Sequence, residues 1–213
     1  MGKGLENVTR KESEMEIEKF GVELTFTEDV LGATPKSKEV YAKYIKAKAP
    51  KGTGLDEVET VQEAEEGGWT GFHEDADGLF GFDYTIRGFL KEAATALKAQ
   101  HAVKNCKSKI DRLVFVSPRR LRFTSKGAAI KEADGVLERP LRAMTMKGPR
   151  VTLARSDKLD ATKGVNLKFT VSIVKNNEDV TKKWVAELFQ YGELQGWGQF
   201  RNGSYGRFTT KIA

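Results

Sequence analysis

The chain has 213 residues, one cysteine, 36 Lys and Arg against 30 Asp and Glu, and a formal charge of +6. That length suffices for one sizeable core, and with no Pro/Gly/Ser-rich linker in view a single domain over residues 1–213 is expected, with insertions near 30–81 and 118–160. The lone Cys106 excludes an intramolecular disulfide, no apolar run is long enough to span a bilayer, and residues 1–18 hold no hydrophobic signal core, so a cytoplasmic protein with no membrane partner is expected.

Along the chain, Val22, Leu24 and Phe26 alternate with Glu23 and Thr25, which predicts a half-buried strand within Met15 to Thr27. Glu39 to Ala49 reads as a short helix ended by Pro50, and Lys51 to Gly68 as an acidic insertion with helical potential around Leu55 to Ala64. Ile86, Phe89, Leu90, Ala93, Ala94 and Leu97 recur at helical spacing, with Arg87, Lys91 and Lys98 on the polar flank. Arg112 to Ser117 reads as a short strand. After Pro118, Leu121 and Phe123 alternate with Arg120 and Arg122, so these two arginines share a face.

Val136 to Met146 and Arg150 to Arg155 predict a hairpin turned at Lys147-Gly148-Pro149. Leu167, Phe169, Val171 and Ile173 alternate strictly with Lys168, Thr170 and Ser172, a further strand. A helix capped by Asn177, with Glu178 and Asp179 in its first turn, carries the stripe Trp184, Val185, Leu188 and Phe189 up to Gly192. Arg207 to Ile212 is a terminal strand. The order gives an α+β fold, a ferredoxin-like (RRM-like) βαββαβ core with an N-terminal helical insertion and a basic β-hairpin insertion.

Charge is uneven along this order. Lys98 to Lys163 hold seventeen basic residues against six acidic ones, whereas residues 1–97 hold twelve against twenty. Such a distribution favours an anionic polymer as partner, because each neutralised phosphate releases counterions. Arg119, Arg120, Arg122, Arg139, Arg142, Arg150 and Arg155 are the candidate phosphate contacts in this basic middle. Between the second helix and the last strand lies GELQGWGQFRNGSYGRF, where Gly196, Gly198, Gly203 and Gly206 are spaced among Trp197, Phe200, Arg201, Tyr205 and Arg207. Glycines allow close backbone approach, aromatic faces stack on bases and arginines reach phosphate. The same composition also suits a glycine-rich hairpin whose aromatics fill a core.

This loop resembles the glycine-rich loop of the RAMP superfamily, the CRISPR-associated RNA-binding subunits. Phe82 to Ala93, with Gly88 and Lys91, resembles the entry of that superfamily's backbone subunits into their first helix, and Ala161 to Gly164 before the LKFTVSIV strand is a weaker match. These segments fall within residues 82–97 and 161–213, about a third of the chain. The sequence is also similar to uncharacterised phage-encoded proteins, in VLG at 30–32, RPLRA at 139–143 and GQFRN at 198–202. The resemblance implies binding of single-stranded RNA along the sheet and basic hairpin, with Arg87 and Lys91 joining the arginines above. It also implies partners in a homo-oligomer on RNA or a CRISPR-type complex, and a phage-encoded factor directed against such a complex is a further reading.

Some relatives of that superfamily cleave RNA, which makes His73, Asp75 and Asp77 of the acidic stretch HEDAD the catalytic candidates. A carboxylate cluster at 74–77 would use Mg2+ to assist attack by a ribose hydroxyl, and this metal-dependent endoribonuclease is the alternative to pure binding. The competing description is a solvated acidic turn with Asp77-Gly78 at its tip. His73 and His101 form no metal-ligand or triad spacing, and no phosphate-cradle lysine accompanies the glycines. No cofactor is expected outside the Mg2+ alternative.

Overall fold

The computed structural model describes residues 15–36, 69–101, 103–145, 148–175 and 179–213. The helix expected at 39–49, the acidic stretch 51–68 and the Asn177 cap lie outside these. Strand β1 (Ile17–Phe26) buries Phe20, Val22, Leu24 and Phe26 on one face, as its alternation predicts. Two short strands follow, β2 (Val30–Leu31) and β3 (Thr34–Pro35). Then come β4 (Trp69–Gly71), β5 (His73–Asp75) and β6 (Gly78–Phe82). The described part of the segment expected as a helical insertion is therefore built of strands.

Helix α1 (Asp83–Ala96) buries Ile86, Phe89, Leu90, Ala93 and Ala94, the predicted stripe. Helix α2 (Cys106–Leu113) went unnoticed in sequence and takes the first two residues of the strand expected over Arg112 to Ser117; Ile110 and Leu113 face the core at helical spacing, and only Val114 onward is strand. Strands β7 (Val114–Ser117) and β8 (Arg120–Ser125) are followed by the short β9 (Ala128–Ala129). The long ribbon β10 (Gly135–Thr145) and β11 (Gly148–Leu159) forms the expected hairpin. Strand β12 (Val165–Val174) leads to α3 (Lys182–Gln190), the short α4 (Gly192–Gln195) and the closing β13 (Phe208–Ile212). The cap of α3 is Thr181, whose hydroxyl accepts from Trp184 N at 3.1 Å; Asp179 precedes the helix instead of lying in its first turn.

The main sheet runs β13-β1-β12-β8-β6-β5, and β7 also pairs with β12. Strands β7 and β8 share one edge of β12: β8 pairs at 165–167 and β7 at 170–173. All of these pairings are antiparallel. Helix α1 packs against α2, α3 and β7, while α3 packs against β13. The sheet's other face carries polar cross-strand pairs, Glu23–Lys168 at 3.1 Å and Thr25–Asn166 at 2.7 Å. This α+β arrangement is consistent with a ferredoxin-like type of fold. A second sheet runs β10-β11-β4-β3 with β2 beside β11. Strand β8 belongs to the main sheet, and the ribbon begins at Gly135, one residue before the Val136 expected from sequence. Among the described residues no helix is long and apolar enough to cross a membrane.

Candidate nucleic-acid interface

The β6 sequence GLFGF places Phe80 opposite Arg122 and Phe82 opposite Arg120, so aromatics and arginines share one face of the sheet. His73 stands opposite Phe80 across the β5–β6 hairpin. The rings form a ladder: His73 stacks on Phe80 at 5.5 Å, Phe80 meets Phe82 edge-on at 5.2 Å, and Phe82 stacks on Tyr84 at 5.4 Å and 18°. Arg119 lies over Phe82 at 5.7 Å, and Arg120 and Arg122 over Phe80 at 5.2 Å each. Phe80 is buried under these cations, but Tyr84 is 54% exposed, and Arg119 and Arg120 are exposed. Cation–π packing orients the guanidiniums over the rings.

Asp75 anchors this group. It accepts from Arg120 Nη1 at 2.7 Å and Arg122 Nη2 at 2.6 Å, while Arg122 also reaches Gly78 O at 2.8 Å and Asp77 Oδ2 at 3.2 Å. Arg122, above all by hydrogen bonding, holds the Asp75 carboxyl down to about 2, and Asp75 in turn raises Arg122. Burial lowers the His73 imidazole below its ordinary value, and Thr34 Oγ1 lies 3.0 Å from its Nε2. The catalytic candidates His73, Asp75 and Asp77 thus gather at one hairpin, but Asp75 and Asp77 face arginines. Among the described residues no three His, Cys, Asp or Glu side chains converge as metal ligands would.

The glycine-rich loop is placed differently. Trp197 is buried, 8% exposed, against Phe26 at 6.1 Å and Phe123 at 6.0 Å, so its ring belongs to the core. The segments on either side of the loop cross closely: Trp197 N donates to Gly206 O at 2.8 Å, and a Cβ at Gly206 would lie 1.9 Å from Trp197 O. At Gly196 a Cβ would lie 2.5 Å from Tyr205 O, at Gly203 2.5 Å from Phe200 Cε1, and at Gly198 3.5 Å from Leu31 O. Arg201 Nη1 donates to Glu92 Oε2 at 2.7 Å, tying the loop to α1. Gln199, unremarked in sequence, accepts from Thr70 and Ser156 at 2.9 Å each and ties it to the second sheet.

Phe200 and Tyr205 remain near the surface. Phe200 is 41% exposed, stacks on Tyr205 at 5.6 Å and lies under the Arg139 guanidinium at 3.9 Å. Burial there lowers the Arg139 pKa. Arg207, at the end of the loop, is half-buried. On the ribbon, Arg155 pairs with Glu138 at 2.9 Å and lies over Trp69 at 5.9 Å. Position 139 stands opposite 154 and position 155 opposite 138, so the pleat assigns Arg139 and Arg155 to different faces. Arg87 is half-buried on α1, and Lys91 pairs with Asp111 at 2.9 Å.

Phe80, Phe82, Tyr84, Glu92 and Gln199 went unnoticed in sequence as site residues. The alternation of Phe80 and Phe82 with Leu79 and Gly81 carried a signal for the ladder, but the tie from Arg201 to Glu92 spans 109 positions and left no local trace.

No family model matches the sequence, and no curated protein matches it. Among solved structures, the fold is similar to a chain in the cryo-EM structure of the type III-B Cmr-beta complex bound to cognate target RNA. That chain is 12% identical with a TM-score of 0.48, covering 93% of this chain and 60% of that one. It is also similar to a chain of a type IV-B CRISPR complex, 10% identical with a TM-score of 0.47, covering 92% of this chain and 90% of that one. The protein therefore spans less than two thirds of the first chain's length.

Proposed function

We propose that the protein binds single-stranded nucleic acid, RNA in preference, on the arginine-flanked aromatic ladder of β5, β6 and α1. The observation that carries this reading is the juxtaposition of Phe82 and the exposed Tyr84 with Arg119, Arg120 and Arg122 on one face. Single strands are held by stacking on aromatic faces and by cations along the phosphates, and this face supplies both. Arg139 with Phe200 and Tyr205 extends it toward the ribbon. The preference for RNA rests on the resemblance of the glycine-rich loop and of Phe82 to Ala93 to the RAMP superfamily.

In the same reading the chain is an elaborated ferredoxin-like βαββαβ domain, with the segment after β1 and the β10–β11 ribbon as insertions. It lies along a strand in several copies or within a CRISPR-type complex. A phage-encoded factor acting against such a complex would use the same surface. The endoribonuclease alternative is disfavoured because both Asp75 oxygens are engaged by arginine N–H groups, leaving this carboxylate poorly placed to hold a metal ion.

The test is retardation of labelled single-stranded RNA across a salt series. Binding should weaken steeply with salt, and Arg119→Ala combined with Arg120→Ala and Arg122→Ala should flatten the log–log slope by about one for each phosphate contact removed. No retention of RNA or single-stranded DNA at low salt would sink the proposal. Magnesium-dependent cleavage abolished by Asp75→Asn would favour the nuclease instead.

A further inference from the structure

We propose that the cleft between the ladder and the glycine-rich loop is a pocket for one unstacked nucleobase, guanine in preference, recognised by Glu92; this rests on the binding reading above. The cleft has a volume of about 300 Å3, with Phe123 and Trp197 among its apolar lining. Phe82 and Tyr84 line one side with their rings stacked on each other at 18°, and a splayed base settles by extending that stack beyond Tyr84. Glu92 and Arg201 also line it and are joined at 2.7 Å, so a charged pair drawn from α1 and the loop sits at the same opening. Ligand pockets combine apolar walls with a few placed polar groups in this manner.

The chemistry of the pair selects the base. Arg201 Nη1 bonds Glu92 Oε2, but a carboxylate accepts on about four lone-pair sites, and Glu92 is held ready for further donors. Guanine offers two adjacent donors, N1–H and the N2 amino group, which match the two oxygens of a carboxylate. Its O6 can accept from another Arg201 N–H. Adenine, cytosine and uracil present no such pair of adjacent donors on that edge. Arg119 and Arg120, on the ladder beside the cleft, are placed to hold the flanking phosphates.

The experiment compares intact protein binding to uridine dodecamers carrying one central guanosine, adenosine or cytidine, by fluorescence anisotropy at fixed salt. A single guanosine should tighten binding about tenfold over adenosine or cytidine, the scale of one good bidentate contact. Glu92→Gln should erase that ratio. Tyr84→Ala, at an exposed position, should weaken the guanosine strand more than the all-uridine strand. Equal binding of all strands by the unaltered protein, a ratio that survives Glu92→Gln, or equal weakening by Tyr84→Ala would overturn the pocket while leaving strand binding intact. Failure to bind any strand at low salt would overturn both readings.

Discussion

The glycine-rich loop and the β6–β8 edge hold the same residue types, aromatics and arginines, yet use them differently. In the loop, Trp197 lies in the core, Gln199 is hydrogen-bonded to the second sheet and Arg201 to α1. At the edge, Tyr84 is 54% exposed, and Arg119 and Arg120 lie open over Phe82 and Phe80. Composition is therefore a poor guide to which segment meets a ligand. The loop's glycines allow two backbone segments to cross at Trp197 and Gly206, and that crossing shapes one wall of the cleft. The edge supplies the face.

The largest effects should break the loop by unfolding it. Trp197→Ala removes a buried indole packed on Phe26 and Phe123 and should cost about 3–5 kcal/mol. Gly206→Ala should be of similar severity, because φ there is +71° and the added Cβ would lie 1.9 Å from a carbonyl oxygen. Both are read by denaturant unfolding. A Trp197→Ala protein that keeps its stability but loses RNA binding would reverse the comparison and make the loop the contact surface.

A smaller effect sharpens the edge. The Asp75 carboxyl is held down to about 2 by Arg122, so its folded-state pKa lies below that of the unfolded chain. The stability it contributes is therefore complete above about pH 4 and is lost as pH falls toward 2. Asp75→Asn should not show that particular loss between pH 4 and 2, measured by thermal unfolding across the series. Identical acid profiles for the two proteins would mean that the arginine anchor is not holding the hairpin.

The smallest effect is of opposite sign to the loop's. Gly88 sits inside α1, and an alanine methyl there would meet nothing within 4 Å, so Gly88→Ala should stabilise by about 0.5–1 kcal/mol. A loss of stability there would show that this glycine, like Gly206, is held by a close approach.

Element types could be read from residue order wherever periodicity was strong. The alternation in β1 and β12, the stripe of α1, the ribbon and the terminal strand were all legible, because burying one face imposes a period that survives in the residue order. Helix α2 and the Thr181 cap were not. The first is mostly polar, with Ile110 and Leu113 its buried residues and Leu113 running directly into the apolar β7, and the second competes with an equally plausible Asn four positions earlier. The arginines were visible as a basic middle. Their partners were settled in three dimensions: Arg120 and Arg122 turn toward Asp75, Arg139 and Arg155 lie on different faces of the ribbon, and Trp197 goes inside. Those outcomes depend on contacts between residues far apart in the chain, and local patterns of charge and hydropathy do not encode which distant partner a side chain will meet.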